Sequence, residues 1–222
     1  SLLTTMHSMI RKIAIVLLAL TLMGCKPDGV GDAEAGQGML LIEQREFDKA
    51  IPLLESALEK GLKNYPETDV LTSIGNCYNE LEDYDKALTF HDKALAADST
   101  NYHAYVNKGV VYRLQGDYVQ AEKCYLKALS MEPDYAELHA SMGALAFFQN
   151  DTEKAIKHLK RAVDLDDSLA VAHSNLSMAY ASDGRFDEAD SELKKAVDRG
   201  YHQPELIRER IETMRANQAG SE

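Results

Sequence analysis

Small and apolar residues return along this chain at a fixed interval. Ala87, Ala121, Ala155 and Ala189 lie 34 residues apart, and Ala94, Ala128, Ala162 and Ala196 repeat that interval seven residues later. Gly75, Gly109 and Gly143 keep the same period, with Ser177 in the fourth place. Tyr84, Tyr118 and Phe186 recur likewise, with Thr152 as the exception. An earlier copy fits Gly38, Phe47, Ala50 and Ala57, with three residues inserted near Tyr65-Pro66-Glu67. A period of this length marks an array of stacked repeats, none of which can bury its apolar face alone. Each copy predicts two helices joined by a tight turn, as in Arg113-Leu114-Gln115-Gly116-Asp117-Tyr118. Gly116 suits the left-handed position after the first helix, and Asp117 suits the cap of the second. Asn150-Asp151 and Gly184 mark the same turn. Gly109 and Ala121 are expected opposite each other, where two helices cross within the usual separation of about 8–10 Å. Tyr118, Tyr125 and Leu126 are expected to fill the space between.

This pattern resembles the tetratricopeptide repeat. In the clearest copy, Tyr102 to Tyr135, the residues Gly109, Tyr112, Tyr118, Ala121, Tyr125, Ala128 and Pro133 sit at the family's signature positions. The resemblance covers five copies, from Gly31 to about Gln203. The family's usual tryptophan is replaced by Leu71, Tyr105, His139 and His173, and its proline survives only as Pro133. The resemblance implies an all-α fold: a right-handed superhelix, or α-solenoid, of about five helix-turn-helix repeats over residues 33–203. Residues 204–217 then form a capping helix, with Pro204 in its first turn, apolar Leu206, Ile207, Ile211 and Met214 on one side and charges on the other. Residues 218–222 are a tail.

The resemblance also implies a concave groove that binds a protein or peptide. The family's ligand-facing positions carry over to Thr72, Asn76 and Asn79 in the second copy, and to His103, Val106, Val110, Arg113 and Leu114 in the third. They fall on Ala140, Ala144, Phe147 and Phe148 in the fourth, and on Ser174, Met178 and Ser182 in the fifth. The family's basic clamp for a C-terminal carboxylate is missing, because Glu137 and Ser141 stand where its cations belong. An apolar or mixed peptide fits better. Phe147 and Phe148 point about 100° apart on a helix, so one core face cannot hold both. The register puts Phe147 on the groove wall and Phe148 at its edge, beside Arg113 and Leu114.

The N-terminus breaks the repeat. Arg11 and Lys12 precede an apolar run, Ile13 to Met23, interrupted by Thr21 and ending at Gly24-Cys25. A basic n-region, a short h-region and a small residue before a break read as a secretory signal; a membrane span needs about 20 apolar residues. Met9 begins a cleaner signal than the residues before it. Leu22-Met23-Gly24-Cys25 resembles the bacterial lipobox. That implies cleavage after residue 24, lipidation of Cys25 and anchoring by acyl chains without a span. Residues 25–32, with Pro27, Gly29 and Gly31, are expected to be a flexible tether. Lys26, where the family's sorting rule reads aspartate as inner-membrane retention, points to the outer membrane and a periplasm-facing domain.

The charge fits that placement. The formal net charge is −12, and loss of residues 1–24 removes Arg11 and Lys12 and no acid. Nucleic-acid binding, which leans on Lys and Arg contacts to phosphate, is disfavoured. No catalytic constellation, cofactor motif or metal set emerges. Gly29-Val30-Gly31 lacks a preceding strand and has Glu34 where a dinucleotide loop needs its third glycine. Asp164 to Ser168 resembles a calcium loop, but Leu169 and Asn175 occupy its glycine and terminal glutamate positions. His139 and His173 read as packing histidines with a hydrogen-bonded edge. Cys77 and Cys124 fall on helices that are not neighbours in the stack, so a disulfide is not expected. The chain therefore reads as a lipid-anchored binding scaffold of open oligomeric state. It is either an envelope assembly factor or an adaptor bringing substrates to a periplasmic protease or cell-wall hydrolase. An enzyme with an unfamiliar site is the remaining class.

Overall fold

The computed structural model describes residues 29–220. Cys25 and the signal and lipidation expectations lie outside the described residues. Eleven helices occur among them: α1 (Asp32–Glu43), α2 (Phe47–Lys60), α3 (Glu67–Glu80), α4 (Tyr84–Ala97), α5 (Tyr102–Leu114), α6 (Tyr118–Leu129), α7 (Ala136–Phe148), α8 (Thr152–Leu165), α9 (Ala170–Ser182), α10 (Phe186–Asp198) and α11 (Pro204–Ala219). They fall into two compact units that divide between Ser99 and Thr100. In the first, α1 pairs with α2 and α3 with α4, and α2 packs on α3. In the second, α5–α6, α7–α8 and α9–α10 are the pairs; α5 touches α7, α7 touches α9, and α11 lies on α9 and α10.

The turn inside each pair follows the expected chemistry. The second residue past the first helix is left-handed in every copy: Arg45, Glu82, Gly116, Asn150 and Gly184. Asp83, Asp117 and Asp151 then accept hydrogen bonds from the backbone N–H of Lys86, Gln120 and Lys154, satisfying donors that the first helical turn leaves orphaned.

The repeated glycine marks a close approach, with a different partner from the one expected. A Cβ at Gly109 would strike the Tyr125 ring rather than Ala121, and one at Gly143 would sit 2.5 Å from Leu159 Cγ. Ala121 is fully buried, but the residue one helical turn further on fills the crossing. Leu126, expected in the same space, is 51% exposed. Its neighbour Tyr125 takes the core direction, and one residue along a helix turns the side chain away by about 100°.

The stretch expected as a tether is fixed at its end. The Gly31 N–H donates to the Gly61 carbonyl at 2.8 Å. Asp32 accepts from the backbone N–H of Lys63 at 2.9 Å and of Asn64 at 3.3 Å. The bond from Lys63 and those from Asn64 hold the Asp32 carboxyl below its ordinary range.

Candidate functional site: an aromatic pocket walled by the last helix

The ligand-facing residues carried over from the repeat register divide sharply by exposure. Thr72, Val106, Ser174 and Met178 are all buried. Thr72, Val106 and Ser174 share one repeat position, and the Thr72 hydroxyl donates back to the Thr68 carbonyl at 2.7 Å. Such side chains form a floor, not a reaching surface. Asn79, Val110 and Ala140 are partly covered, while Asn76, His103 and Ser182 are exposed. Thr72, Asn76 and Asn79 belong to the first unit and the rest to the second.

In the second unit, Ala144, Phe147, Phe148, Ser174 and Met178 converge on one cavity of about 200 Å³. Asn175, Tyr201, Leu206, Ile207 and Arg210 complete it. The floor comes from α7 and α9, and one wall comes from α11. The sequence pattern makes α11 a cap with its apolar side turned inward. Ile207 and Ile211 are indeed buried, but Leu206 is 46% exposed. Leu206-Ile207 is an adjacent apolar pair, and the argument that separates Phe147 from Phe148 separates these two as well. That pair is the sequence signal for the wall.

Phe147 and Phe148 take different roles. Phe147 is partly buried and packs against the core of α8 to α11. Phe148 is 53% exposed. Its ring stacks at 6.4 Å on Tyr118, and the Arg113 guanidinium lies 5.4 Å from its centroid. Arg113 also sits beside the buried Tyr125: burial pushes that phenol up, and the Arg113 charge pulls it back. Leu114 is 45% exposed at the same edge. These contacts brace the half-exposed Phe148 with a cation and an aromatic ring.

The other candidate chemistry resolves as structure. His173 is buried, with Nδ1 2.6 Å from Glu192 Oε2 and Nε2 3.1 Å from the Asp167 carbonyl. His139 sits at the same repeat position, with Nε2 2.9 Å from the Pro133 carbonyl and Nδ1 3.2 Å from His158 Nδ1. Among the described residues, no group of three or more His, Cys, Asp or Glu could hold a metal. Cys77 and Cys124 are buried and form no disulfide. Burial pushes the Cys77 thiol up to about 11, which keeps it protonated and unreactive at neutral pH. No described helix is long and apolar enough to cross a membrane.

Family models described as tetratricopeptide repeat match residues 66–131, 100–168 and 140–204. The chain belongs to the tetratricopeptide-repeat family. Among solved structures, a thermophilic tetratricopeptide-repeat protein of Thermus thermophilus is 24% identical with a TM-score of 0.70, covering 83% of this chain and 98% of its own. MamA of Desulfovibrio magneticus is 20% identical with a TM-score of 0.58, covering 78% and 96%. YrrB, described as having an unusual peptide-binding site, is 26% identical with a TM-score of 0.50, covering 66% and 74%. A search of curated proteins gave no match.

Proposed function

We propose that this tetratricopeptide-repeat chain is a binding scaffold that takes a peptide segment of a protein partner into the pocket between α7, α9 and α11. The observation that carries this is the half-exposed Phe148 beside a cavity floored by Phe147 and Met178 and walled by Leu206 and Ile207. A few buried aromatic and aliphatic anchors dominate interface energetics. A cavity of about 150 Å³ takes a benzene ring, so this one has room for a large apolar side chain. The peptide-binding site described for YrrB supports the reading. The Leu22-Met23-Gly24-Cys25 segment supports a scaffold moored by lipid at Cys25 to the bacterial envelope, serving assembly of a surface machine there.

The test is the double variant Phe147→Ala with Phe148→Ser, compared with wild type in pull-downs from cross-linked envelopes. The expected outcome is loss of partner recovery with helical circular dichroism and membrane fractionation intact. Retained recovery moves the site elsewhere. Loss of helicity together with binding returns both rings to the core.

A further inference from the structure

This chain is acidic, and its arginines are almost all spoken for. Arg45, Arg161, Arg185, Arg199, Arg208 and Arg215 each hold a carboxylate in an ion pair. Arg113 and Arg210 are the arginines among the described residues that do not. Both border the aromatic pocket: Arg113 lies over Phe148, and Arg210 lines the cavity from α11. With acidic residues outnumbering basic ones by 36 to 24, two arginines without a carboxylate partner at one apolar site are a local exception.

Their placement has a direction. Arg113 ends α5, which packs on the α7 side of the site; Arg210 belongs to α11, which packs on the α9 side. The cations therefore flank the pocket from opposite sides along the helix stack. Arginine presents a planar fork matched to carboxylates. A terminal α-carboxylate alone can meet one of the two arginines, so pairing both takes acidic side chains. The geometry points to an internal acidic segment of a partner protein, with an apolar side chain seated in the pocket and a carboxylate on each side of it. This rests on the peptide-binding reading above and adds the chemistry of the ligand. The net negative charge of the scaffold opposes such a ligand at long range, but the Debye length of about 8 Å at physiological salt leaves local pairing to decide.

The probe is an N-acetylated, C-amidated, fluorescently labelled peptide with a single leucine between pairs of glutamates, titrated into the full chain. Three companions carry lysines for the glutamates, serine for the leucine, or a free C-terminal leucine. The glutamate–leucine peptide should bind, and the lysine peptide should bind at least about tenfold more weakly. Arg210→Gln should weaken the glutamate–leucine peptide about three- to tenfold and leave the lysine peptide unimproved or slightly better. Arg210 is the cleaner variant because it is exposed and has no partner to lose; Arg113→Gln should act in the same direction. Equal binding of the glutamate and lysine peptides, with binding still lost in Phe147→Ala, overturns the acidic ligand and leaves the pocket reading standing. Equal binding of the leucine and serine peptides overturns both. Tighter binding of the free-terminus peptide overturns the internal segment in favour of a chain end.

Discussion

The fourth and fifth helix pairs, α7–α8 and α9–α10, solve one packing problem with different chemistry. Both place a histidine where the family usually has a large apolar residue, and both anchor its Nε2 on a loop carbonyl, Pro133 or Asp167. A carbonyl only accepts, so Nε2 carries a hydrogen in each case. The residue nineteen positions on then decides the character of the pair. In the fifth pair it is Glu192, whose other oxygen accepts from Lys195 at 2.7 Å. In the fourth pair it is His158, whose Nδ1–H must donate to the lone pair of His139 Nδ1. A second difference sits beside the first. Gly143 leaves room for Leu159, whereas Ser177 uses its hydroxyl to donate to the Ala189 carbonyl at 2.7 Å. One backbone frame thus tolerates a closed ionisable pair in one copy and an acid-sensitive one in the next.

The largest effect expected from breaking this comparison is at Glu192. Glu192→Ala strands the buried His173 edge in the core, and leaving a buried hydrogen-bonding group without its partner costs up to about 3 kcal/mol. His158 is only half-buried, so His158→Ala should cost about 1 kcal/mol, the scale of one net hydrogen bond. Urea unfolding of the full chain checks both, and hydrogen exchange in α9 locates the first. Equal losses would mean that the two pairs are energetically alike.

How much of this could be read beforehand depends on whether a residue's environment lies within its own copy. The period, the left-handed turns at Gly116, Asn150 and Gly184, and the aspartate caps depend on local backbone needs, so the residues announce them. Arg45 and Glu82 take the same left-handed turn but carry no sequence signal, because the packed pair imposes a conformation that these residues do not prefer. Exposure across copies is less legible. Thr72 and Val106 look ligand-facing from register alone, yet both are buried, while Ser174 at the same position lines the cavity floor. Leu126 looks buried and is exposed. The α11 wall escapes the register because periodicity shows which residues recur, and α11 recurs with nothing.

The next effect is smaller and bears on the repeated glycine. Gly143→Ala forces a methyl to within 2.5 Å of Leu159 Cγ, and overpacking of this kind costs about 1–3 kcal/mol. Ser177→Ala leaves the Cβ already accommodated and removes one hydroxyl donor, a loss of about 0.5–1.5 kcal/mol. Thermal melts of the two variants should therefore rank Gly143→Ala below Ser177→Ala. The reverse order would show that the fourth crossing has slack and that the serine bond holds the fifth together.

The smallest effect is the one that best separates the two pairs, the dependence of stability on acid. Burial lowers the pKa of His158, and the charges of His139, Lys154 and Lys157 add to that. Lys160, Arg161 and Asp164 also line the adjacent surface from α8. Glu122 and Asp134 reach in from neighbouring elements to pair with Lys154 and Arg161. The unfolded chain therefore binds the proton more readily than the folded one. The contribution of His158 to stability is complete above the ordinary histidine pKa of about 6.5 and is lost as the pH falls below it toward the lower folded value. Protonating both rings would also turn Nδ1–H against Nδ1–H across 3.2 Å. His158→Glu rebuilds the fifth pair's arrangement in the fourth, placing a carboxylate where Lys154 and Lys157 favour it. Urea midpoints measured on both sides of about pH 6.5 should fall with acid more steeply in wild type than in His158→Glu, and the difference between the chains removes the histidines that do not touch residue 158 from the comparison. Parallel pH profiles would mean that the paired imidazoles take up protons without penalty, and the contrast between the two copies would then be one of geometry alone.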